Sequence, residues 1–205
     1  MKPGTRALGI AESTDEASGC CVFCGAVVRA DRTVDGVGFA TATVGGLDAT
    51  DAVRDLVDRT GREDVRYVLL SGVAPAWFNL VDLGAVADAA DRPVCAVSYE
   101  ASPGLAPALR EHFDGDALAD RLGIYERLPP RREVTVNGER VFVRSLGLGA
   151  DETDRIVRGF TPTGGRPEPL RVARLAARGA REWHVRDADG VGATDTDADG
   201  ADRHE

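Results

Sequence analysis

The sequence predicts a mixed α/β fold in which a single sheet with the strand order 3-2-1-4-5 is flanked by helices. Three observations indicate this class: three β-rich segments come first, two short apolar runs then alternate with helix-patterned segments, and a two-residue hairpin motif follows. Right-handed crossovers between parallel strands place the fourth strand beside the first. A length of 205 residues suits one such domain.

The first three strands are expected to form an antiparallel meander. Residues 5–10 supply the first strand, and residues 20–30 and 34–44 are rich in β-forming side chains. Only the short polar segment DRT separates the second strand from the third, which predicts a hairpin.

Two strand–helix units follow the meander. Val53, Leu56 and Val57 have the i, i+3, i+4 spacing of a helix face, and Asp48 or Thr50 can cap the start of that helix. The next elements are expected to be a strand at 65–70, a helix at 80–90 and a strand at 93–99. Both strands are continuous apolar runs, the mark of strands that are covered on both faces.

The rest of the chain adds helices and one hairpin. Two strand-patterned runs flank Asn137-Gly138, which predicts a hairpin over residues 133–146. Helices are expected from Ser102 onward and over residues 116–128, 151–160 and 169–183. Residues 1–186 therefore read as one domain, and the acidic, Gly-rich residues 187–205 read as a disordered solvating tail, with a functional acidic arm as the alternative.

The composition is acidic and almost free of lysine. The formal net charge is -9, and Lys2 is the only lysine. Such a surface is typical of a halophilic archaeon, although GC-rich codon usage also favours Ala, Asp, Gly and Arg. An apolar run of membrane length and a secretory leader are both missing from the pattern, so a cytoplasmic protein without a membrane partner is expected.

The predicted topology has a switch point between the first and fourth strands, where ligands of open α/β sheets bind at the carboxyl ends. Two segments converge there: residues 9–13 (GIAES) and residues 70–79 (LSGVAPAWFN). In the second segment, Trp77 and Phe78 either plug the following helix or form a stacking surface for an extruded base. Asn79 either pairs with a base edge or caps the helix that starts beside it.

Arginines in the last predicted helix form a basic row. Arg171, Arg174, Arg178 and Arg181 are spaced by three and four residues, and Arg166 lies in a glycine-containing turn before them. The row either contacts phosphates or is a solvated face with acidic partners.

The cysteines Cys20, Cys21 and Cys24 lie in the second predicted strand. Residues three apart in a strand point to opposite faces, which places Cys21 and Cys24 too far apart for a disulfide. They are therefore expected to be small buried hydrophobic side chains. A ligand pair of Cys20 and Cys24 with Cys95 is the remaining alternative.

Four blocks carry a resemblance to a known family: LGIAES, VGGLDATD, LLSGVAPAWFNLVDL and GGRPEPLRVARLAARG. They resemble successive blocks of the archaeal family called domain of unknown function 99, or endonuclease dU, which is related to endonuclease V. The resemblance runs from about residue 6 to residue 179 and implies a ribonuclease H-like fold. It also implies endonuclease activity on deoxyuridine-containing DNA, with DNA favoured over RNA as the partner.

The implied chemistry is phosphodiester cleavage assisted by Mg or Mn. Carboxylates on neighbouring strands hold such hard cations, which ready a water and stabilise the leaving oxygen. This sequence has Ala11 and Ser71 where the resemblance implies aspartates, Gly45 where it implies an acidic residue, and Arg174 where it implies a histidine.

The carboxylates left near the switch point are Glu12, Asp48 and Asp51. All three are the predicted catalytic residues, with Glu12 and Asp48 as metal ligands. Glu12 replaces the missing aspartate only if the strand has ended or bulged, and the two aspartates suit helix caps equally well.

Three functions follow from these residues. The first is a metal-dependent endonuclease that acts on deaminated DNA. The second is a non-catalytic binder of nucleic acid or damaged bases, in which Ser71, Trp77, Phe78, Asn79, Arg166, Arg171, Arg174 and Arg178 form the binding surface. The third is a nucleotide or small-molecule hydrolase.

Overall fold

The computed structural model describes residues 1–60 and 62–190 as one mixed sheet with helices on both faces. The strands are β1 (Arg6–Asp15), β2 (Cys20–Arg29), β3 (Val34–Thr43), β4 (Val65–Ser71), β5 (Val94–Ser98), β6 (Arg132–Val136) and β7 (Glu139–Leu146). Their order is β3-β2-β1-β4-β5-β7-β6. The predicted order of the first five strands is confirmed, and the predicted hairpin extends the sheet beyond β5.

The sheet is parallel only at its centre. β1 pairs parallel with β4, and β4 pairs parallel with β5. The meander β1-β2-β3 is antiparallel, and β7 pairs antiparallel with both β5 and β6. The carboxyl ends of β1, β4 and β5 therefore share one edge of the sheet.

The helices are α1 (Ala49–Thr60), α3 (Leu83–Ala90), α4 (Ala106–His112), α5 (Gly115–Arg127), α6 (Ala150–Gly159) and α7 (Glu168–Gly190), and the segment numbered α2 (Pro75–Phe78) is a single turn with non-helical backbone angles. In the described part of the chain, none of them has the length and apolarity that a bilayer crossing needs.

Several element boundaries differ from the sequence prediction, among them the start of α4, which lies at Ala106 and not at Ser102. β1 continues to Asp15, because β2 pairs with it over its whole length. α3 starts at Leu83, not at residue 80, because the Asp82 carboxylate accepts hydrogen bonds from the amides of Gly84 and Ala85. α7 continues to Gly190 and so takes in residues 187–190 of the predicted tail; residues 191–205 lie outside the described residues.

The two faces of the sheet bury different helices. On one side, called the α1 face, Leu8, Ile10 and Leu70 pack with Val53 and Leu56 of α1. On the other side, called the α7 face, β-strand residues pack against α6 and α7, as Leu69 does with Ile156 and Leu170. Ala11 lies on the α7 face with Ala173 and Ala177. Neighbouring residues of β1 thus alternate between the faces, as a regular strand requires.

Close packing brings α7 onto β1. A Cβ atom at Gly9 would lie 2.3 Å from the backbone carbon of Pro169. Only glycine allows this approach, so Gly9 sets the distance between the start of α7 and the sheet.

The cysteines of β2 are core residues. Cys21 and Cys24 are fully buried on opposite faces, and burial raises the pKa of their thiols to about 11 and about 12. The prediction that they are small buried hydrophobic side chains is confirmed.

A polar junction of Thr43, Asp48, Ala49 and Asn79 joins β3, α1 and the segment before α3. The buried Asn79 side chain accepts a hydrogen bond from the Ala49 amide (2.9 Å). Its Nδ2 donates to the Thr43 carbonyl (2.8 Å) and to Asp48 Oδ1 (2.6 Å). The Asp48 carboxylate also accepts from the Thr43 amide and hydroxyl. Three separate segments are therefore held in register by one side chain.

Arg121 of α5 fixes the neighbouring loops. It is 3% exposed and donates to the carbonyls of Gly45 (2.5 Å), Gly46 (3.1 Å) and Phe78 (3.2 Å). Its guanidinium also lies 3.9 Å from the centre of the Phe113 ring. These carbonyls belong to the chain segments that follow Thr43 and precede Asn79, so the Arg121 guanidinium links the polar junction to α5.

Gly9→Ala is expected to lower the free energy of unfolding by about 1–3 kcal/mol, because the added methyl group forces α7 away from β1. Gly179→Ala is the matched control. Gly179 is an exposed residue of α7 with open space around it, and the same substitution there is expected to stabilise by about 0.5–1 kcal/mol. Urea unfolding followed by circular dichroism measures both; equal effects of the two substitutions would contradict the close approach.

Asn79→Ala is expected to destabilise the protein by about 2–4 kcal/mol, because it leaves the Ala49 amide and the Thr43 carbonyl without their partner. Asp51→Ala, at an exposed position of the same region, is expected to change stability by less than about 0.5 kcal/mol. The two variants are compared in the same urea titration. A loss at Asn79 no larger than that at Asp51 would contradict the role of the junction.

Candidate functional site

The predicted switch point lies at the carboxyl ends of β1 and β4. Ile10 and Leu70 form the last parallel pair between these strands, and Ala11 and Ser71 are the residues that follow them. Ala11 packs on the α7 face, and strand alternation from Leu69 places Ser71 on the same face. The two positions at which the resemblance implies aspartates are therefore adjacent, but neither carries a carboxylate.

Glu12 does not take the place of the missing aspartate. The pairing of β1 with β2 runs without a bulge from Arg6 to Asp15, so Glu12 alternates with Ala11 and points away from it. Its carboxylate accepts a hydrogen bond of 2.6 Å from the Thr14 hydroxyl. The condition for substitution, an ended or bulged strand, is not met.

Asp48 and Asp51 have other surroundings. Asp48 belongs to the polar junction, where burial raises the pKa of its carboxyl but the hydrogen bonds from Asn79 and Thr43 outweigh it and lower the pKa below its usual value. Asp51 is exposed and forms an ion pair with Arg54 at 3.4 Å. Asp48 precedes α1 and Asp51 lies in its first turn, and within the described residues no hydrogen bond or ion pair joins either side chain to Glu12.

The carboxylates do not fit a divalent metal. Mg²⁺ and Mn²⁺ require several oxygen ligands that converge on one point. Among residues 1–60 and 62–186, no three Asp, Glu, His or Cys side chains form such a group. The oxygens of Asp48 already accept hydrogen bonds from Thr43 and Asn79.

An arginine-lined cleft opens beside the end of β1. It has a volume of about 540 Å³, and we call it the arginine cleft. One wall is formed by Glu12, Ser13 and Thr14. Leu175 lies in the other wall with five arginines: Arg166, Arg171, Arg174, Arg178 and Arg181. The predicted basic row and Arg166 thus come together, on the side of the sheet where Ala11 lies.

Two arginines of the cleft are available to a ligand. Arg171 is paired with Glu168 at 2.6 Å, and Arg181 donates to the Ser13 hydroxyl at 3.0 Å. Arg174 and Arg178 are exposed, and in the described part of the chain no carboxylate lies within 4.0 Å of either guanidinium. Their charge is therefore directed into solvent at the cleft.

Arg166 and Tyr99 contribute polar atoms beside the cleft. The guanidinium of Arg166 lies 4.1 Å from the centre of the Tyr99 ring. Arg166 Nη1 and the Tyr99 hydroxyl are buried and have no hydrogen-bond partner within the described residues. Burial also raises the pKa of Tyr99 to about 12, so its hydroxyl is protonated at neutral pH. Because buried polar groups are nearly always paired, these atoms indicate a place for a ligand or water.

The loop after β4 presents an aromatic surface. Ala76, Trp77 and Phe78 all have positive φ angles (45°, 56° and 59°), a left-handed turn that is costly for residues with side chains. The turn is held by the bonds of Arg121 and by the Gly45 amide, which donates to the Ala76 carbonyl (2.7 Å). Trp77 is 47% exposed as a result.

Trp77 is the centre of an aromatic cluster. Its ring centroid lies 5.9 Å from Phe78, 5.9 Å from His112 and 5.2 Å from Phe113. A Cβ atom at Gly45 would lie 2.8 Å from the Trp77 ring. An acidic side chain at position 45 is therefore incompatible with the indole in this position.

Asn79 was predicted to belong to the nucleic-acid-binding surface, and the structure does not place it there. Its side chain is fully buried and bonded inside the polar junction, so it presents no atom to a nucleic acid. It caps α1 from across the fold, not the helix that follows it in the sequence.

Sequence reasoning missed Arg121, His112 and Phe113. Arg121 lies in an acidic, surface-like stretch of α5, and no sequence signal marks it as buried. His112 and Phe113 end α4 and reach the Trp77 loop only through the tertiary fold.

Solved structures show the same architecture. A protein of unknown function from Archaeoglobus fulgidus has a TM-score of 0.74 and 28% identity, over 85% of this chain and 97% of that chain. Ciona intestinalis endonuclease V, crystallised with DNA containing an inosine, has a TM-score of 0.61 and 11% identity, over 88% and 86% of the two chains. Endonuclease V neighbours thus establish a ribonuclease H-like fold.

Sequence comparisons give the family. An UPF0215 protein of Pyrobaculum calidifontis is 34% identical over 178 residues, which cover 86% of this chain and 97% of the relative. An UPF0215 protein of Thermococcus gammatolerans is 32% identical over 184 residues, covering 86% and 92%. The profile of the endonuclease dU family matches residues 3–181. This chain is a member of the endonuclease dU family.

Proposed function

We propose that this protein binds DNA that carries a deaminated, deoxyuridine-type base, and that the arginine cleft holds the backbone phosphates. The observation that carries the proposal is the cleft beside the end of β1 that five arginines line, two of which, Arg174 and Arg178, have no carboxylate within 4.0 Å in the described part of the chain. The family name and the inosine-containing DNA bound by the endonuclease V neighbour support this class of ligand.

The charge distribution favours phosphate over other ligands. The whole chain has a net charge of -9, so a general attraction to polyanions is not available to it. Binding of DNA then depends on local positive charge, and Arg174 and Arg178 provide it without carboxylate neighbours in the described residues. Guanidinium groups also match phosphate oxygens through paired hydrogen bonds.

Trp77 supplies the contact with the base. Its exposed indole is held by a turn that Arg121 and Gly45 fix, so little conformational freedom is lost when a base stacks on it. Phe78 supports the indole from the side, with the two ring planes at 69°.

Arg174→Gln combined with Arg178→Gln is expected to weaken binding of a uracil-containing duplex and to reduce the slope of log K against log salt by about 2, because two phosphate contacts are lost. Binding by the unmodified protein is expected to occur without divalent metal, in the presence of EDTA. Fluorescence anisotropy of labelled DNA at several KCl concentrations measures both quantities. Arg110→Gln, an exposed residue of α4, is the control and should leave the slope unchanged.

The same titration separates lesion recognition from general binding. Trp77→Ala is expected to remove the preference for uracil over thymine at one position while the salt slope stays constant, since the indole contacts no phosphate in this proposal. An unaltered slope in the double arginine variant, or no lesion preference in the starting protein, would contradict the proposed function. An RNA duplex of the same sequence tests whether DNA is the preferred partner.

A second candidate is cleavage of the same DNA with Mg or Mn, which family membership favours; of the three predicted catalytic residues, Glu12 is the one among the residues that line the cleft. The donor set argues against it, because Ala11 and Ser71 supply no carboxylate and Asp48 is engaged in the polar junction. The catalytic roles predicted for Glu12, Asp48 and Asp51 therefore belong to this candidate alone.

No nicking of uracil- or inosine-containing DNA is expected with either metal, and Ala11→Asp combined with Ser71→Asp is expected to produce metal-dependent nicking, because the new carboxylates lie side by side. Gel analysis of end-labelled DNA measures nicking. Cleavage by the unmodified protein that disappears with Glu12→Gln would establish the second candidate. Ser71→Asn with Ala11→Asn is the uncharged control.

A further inference from the structure

A second pocket lies on the opposite face of the sheet from the arginine cleft. It has a volume of about 320 Å³, at the lower end for small-molecule sites, and follows the carboxyl ends of β4 and β5. Ala96 belongs to the α1 face and pairs with Arg144 of β7, which places Arg144 on that face too. Because two arginines line this pocket, Arg131 and Arg144, we call it the arginine-pair pocket.

Both guanidinium groups are held by neutral acceptors. Arg131 donates to the Ser98 hydroxyl (3.0 Å) and the Ser102 carbonyl (3.3 Å), and it lies 4.1 Å from the centre of the Phe142 ring. Arg144 donates to the Pro129 carbonyl and to the Tyr125 hydroxyl (3.4 Å). These contacts fix the orientation of the two side chains without neutralising their charge.

The charge of the pair is not balanced inside the protein. Among the side chains of residues 1–60 and 62–186, no carboxylate lies within 4.0 Å of either guanidinium. Glu100 borders the pocket, but its side chain is exposed and it contacts Arg131 through its carbonyl oxygen. Burial, and secondly the charge of Arg144, lower the pKa of Arg131. Two half-buried positive charges therefore face one small pocket, an arrangement that an anion would stabilise.

The remaining wall suits a compact apolar or planar group. Val73, Ala74 and Leu105 line one side, and Tyr125 adds its ring. Ser98 and Ser102 also line the pocket, and the Ser98 hydroxyl lies 3.0 Å from the Arg131 guanidinium, from which it accepts a hydrogen bond.

We propose that the arginine-pair pocket binds a small phosphomonoester that carries a planar group, of the nucleoside monophosphate class. A dianionic phosphate balances two guanidinium charges, whereas a carboxylate balances one, and guanidinium groups pair well with phosphate oxygens. The apolar wall takes the attached group. This site is separate from the arginine cleft and does not rest on the proposed function.

Titration calorimetry of the full chain tests the pocket with three probes at constant ionic strength: 2′-deoxyuridine 5′-monophosphate, inorganic phosphate and 2′-deoxyuridine. The monophosphate is expected to bind most tightly, inorganic phosphate more weakly, and the nucleoside not measurably. Arg144→Gln is expected to weaken monophosphate binding by about tenfold or more, since it removes a charge-assisted contact. Arg144→Lys keeps the charge and should lose less, and Arg110→Gln is the matched control.

Three results would overturn the proposal. The first is no heat with the monophosphate or with phosphate at millimolar concentration. The second is equal affinity for phosphate and the monophosphate, because the planar group attached to the phosphate would then contribute nothing to binding. The third is binding that Arg174→Gln with Arg178→Gln abolishes but Arg144→Gln and Arg144→Lys leave intact, since the ligand would then occupy the arginine cleft. Arg144→Lys keeps the test decisive if Arg144→Gln does not fold, which melting temperatures establish.

Discussion

The hydrogen bonds of the buried Asn79 side chain are the constraint on which the functional edge of the sheet depends. One amide group satisfies the Thr43 carbonyl, the Ala49 amide and a carboxylate oxygen of Asp48. It therefore fixes where β3 ends, where α1 begins and where the chain returns after the Trp77 loop. Burial makes these bonds strong and makes their loss costly, because water cannot replace the missing partner. Arg121 extends the same principle to the neighbouring loop carbonyls.

Most of the fold could be predicted because its signals are local. Apolar runs identified β4 and β5, Asn137-Gly138 identified the β6-β7 hairpin, and the crossover rule gave the strand order. The start of α3 was placed three residues early because Leu80 and Val81 are apolar but precede the helix, and the cap at Asp82 decides the boundary. The position of the hairpin in the sheet could not be predicted, since it depends on the pairing of β7 with β5, 40 residues or more apart in sequence.

The candidate site could be predicted only where spacing along one element defines it. The arginine row follows from helical periodicity in α7, and the structure places it in one cleft. The role of Asn79 could not be read in this way, because its partners are 30 or more residues distant. Glu12 shows the reverse case: strand alternation alone argued that it points away from Ala11, and the continuous β1-β2 register bears this out. A carboxylate that neighbours the position of a missing metal ligand therefore cannot replace that ligand when its side chain points to the other face of the sheet.

The close contact between Gly45 and the Trp77 ring restricts which side chains these two positions can carry together. The indole occupies the volume that a side chain at position 45 would need, since even a methyl group there would lie 2.8 Å from the ring. Glycine at 45 is thus required for as long as the indole of Trp77 keeps this position. A variant with an acidic residue at 45 would have to lose or move the indole first. A carboxylate at position 45 and the exposed indole of Trp77 would occupy the same space, so this site can hold one of them but not both.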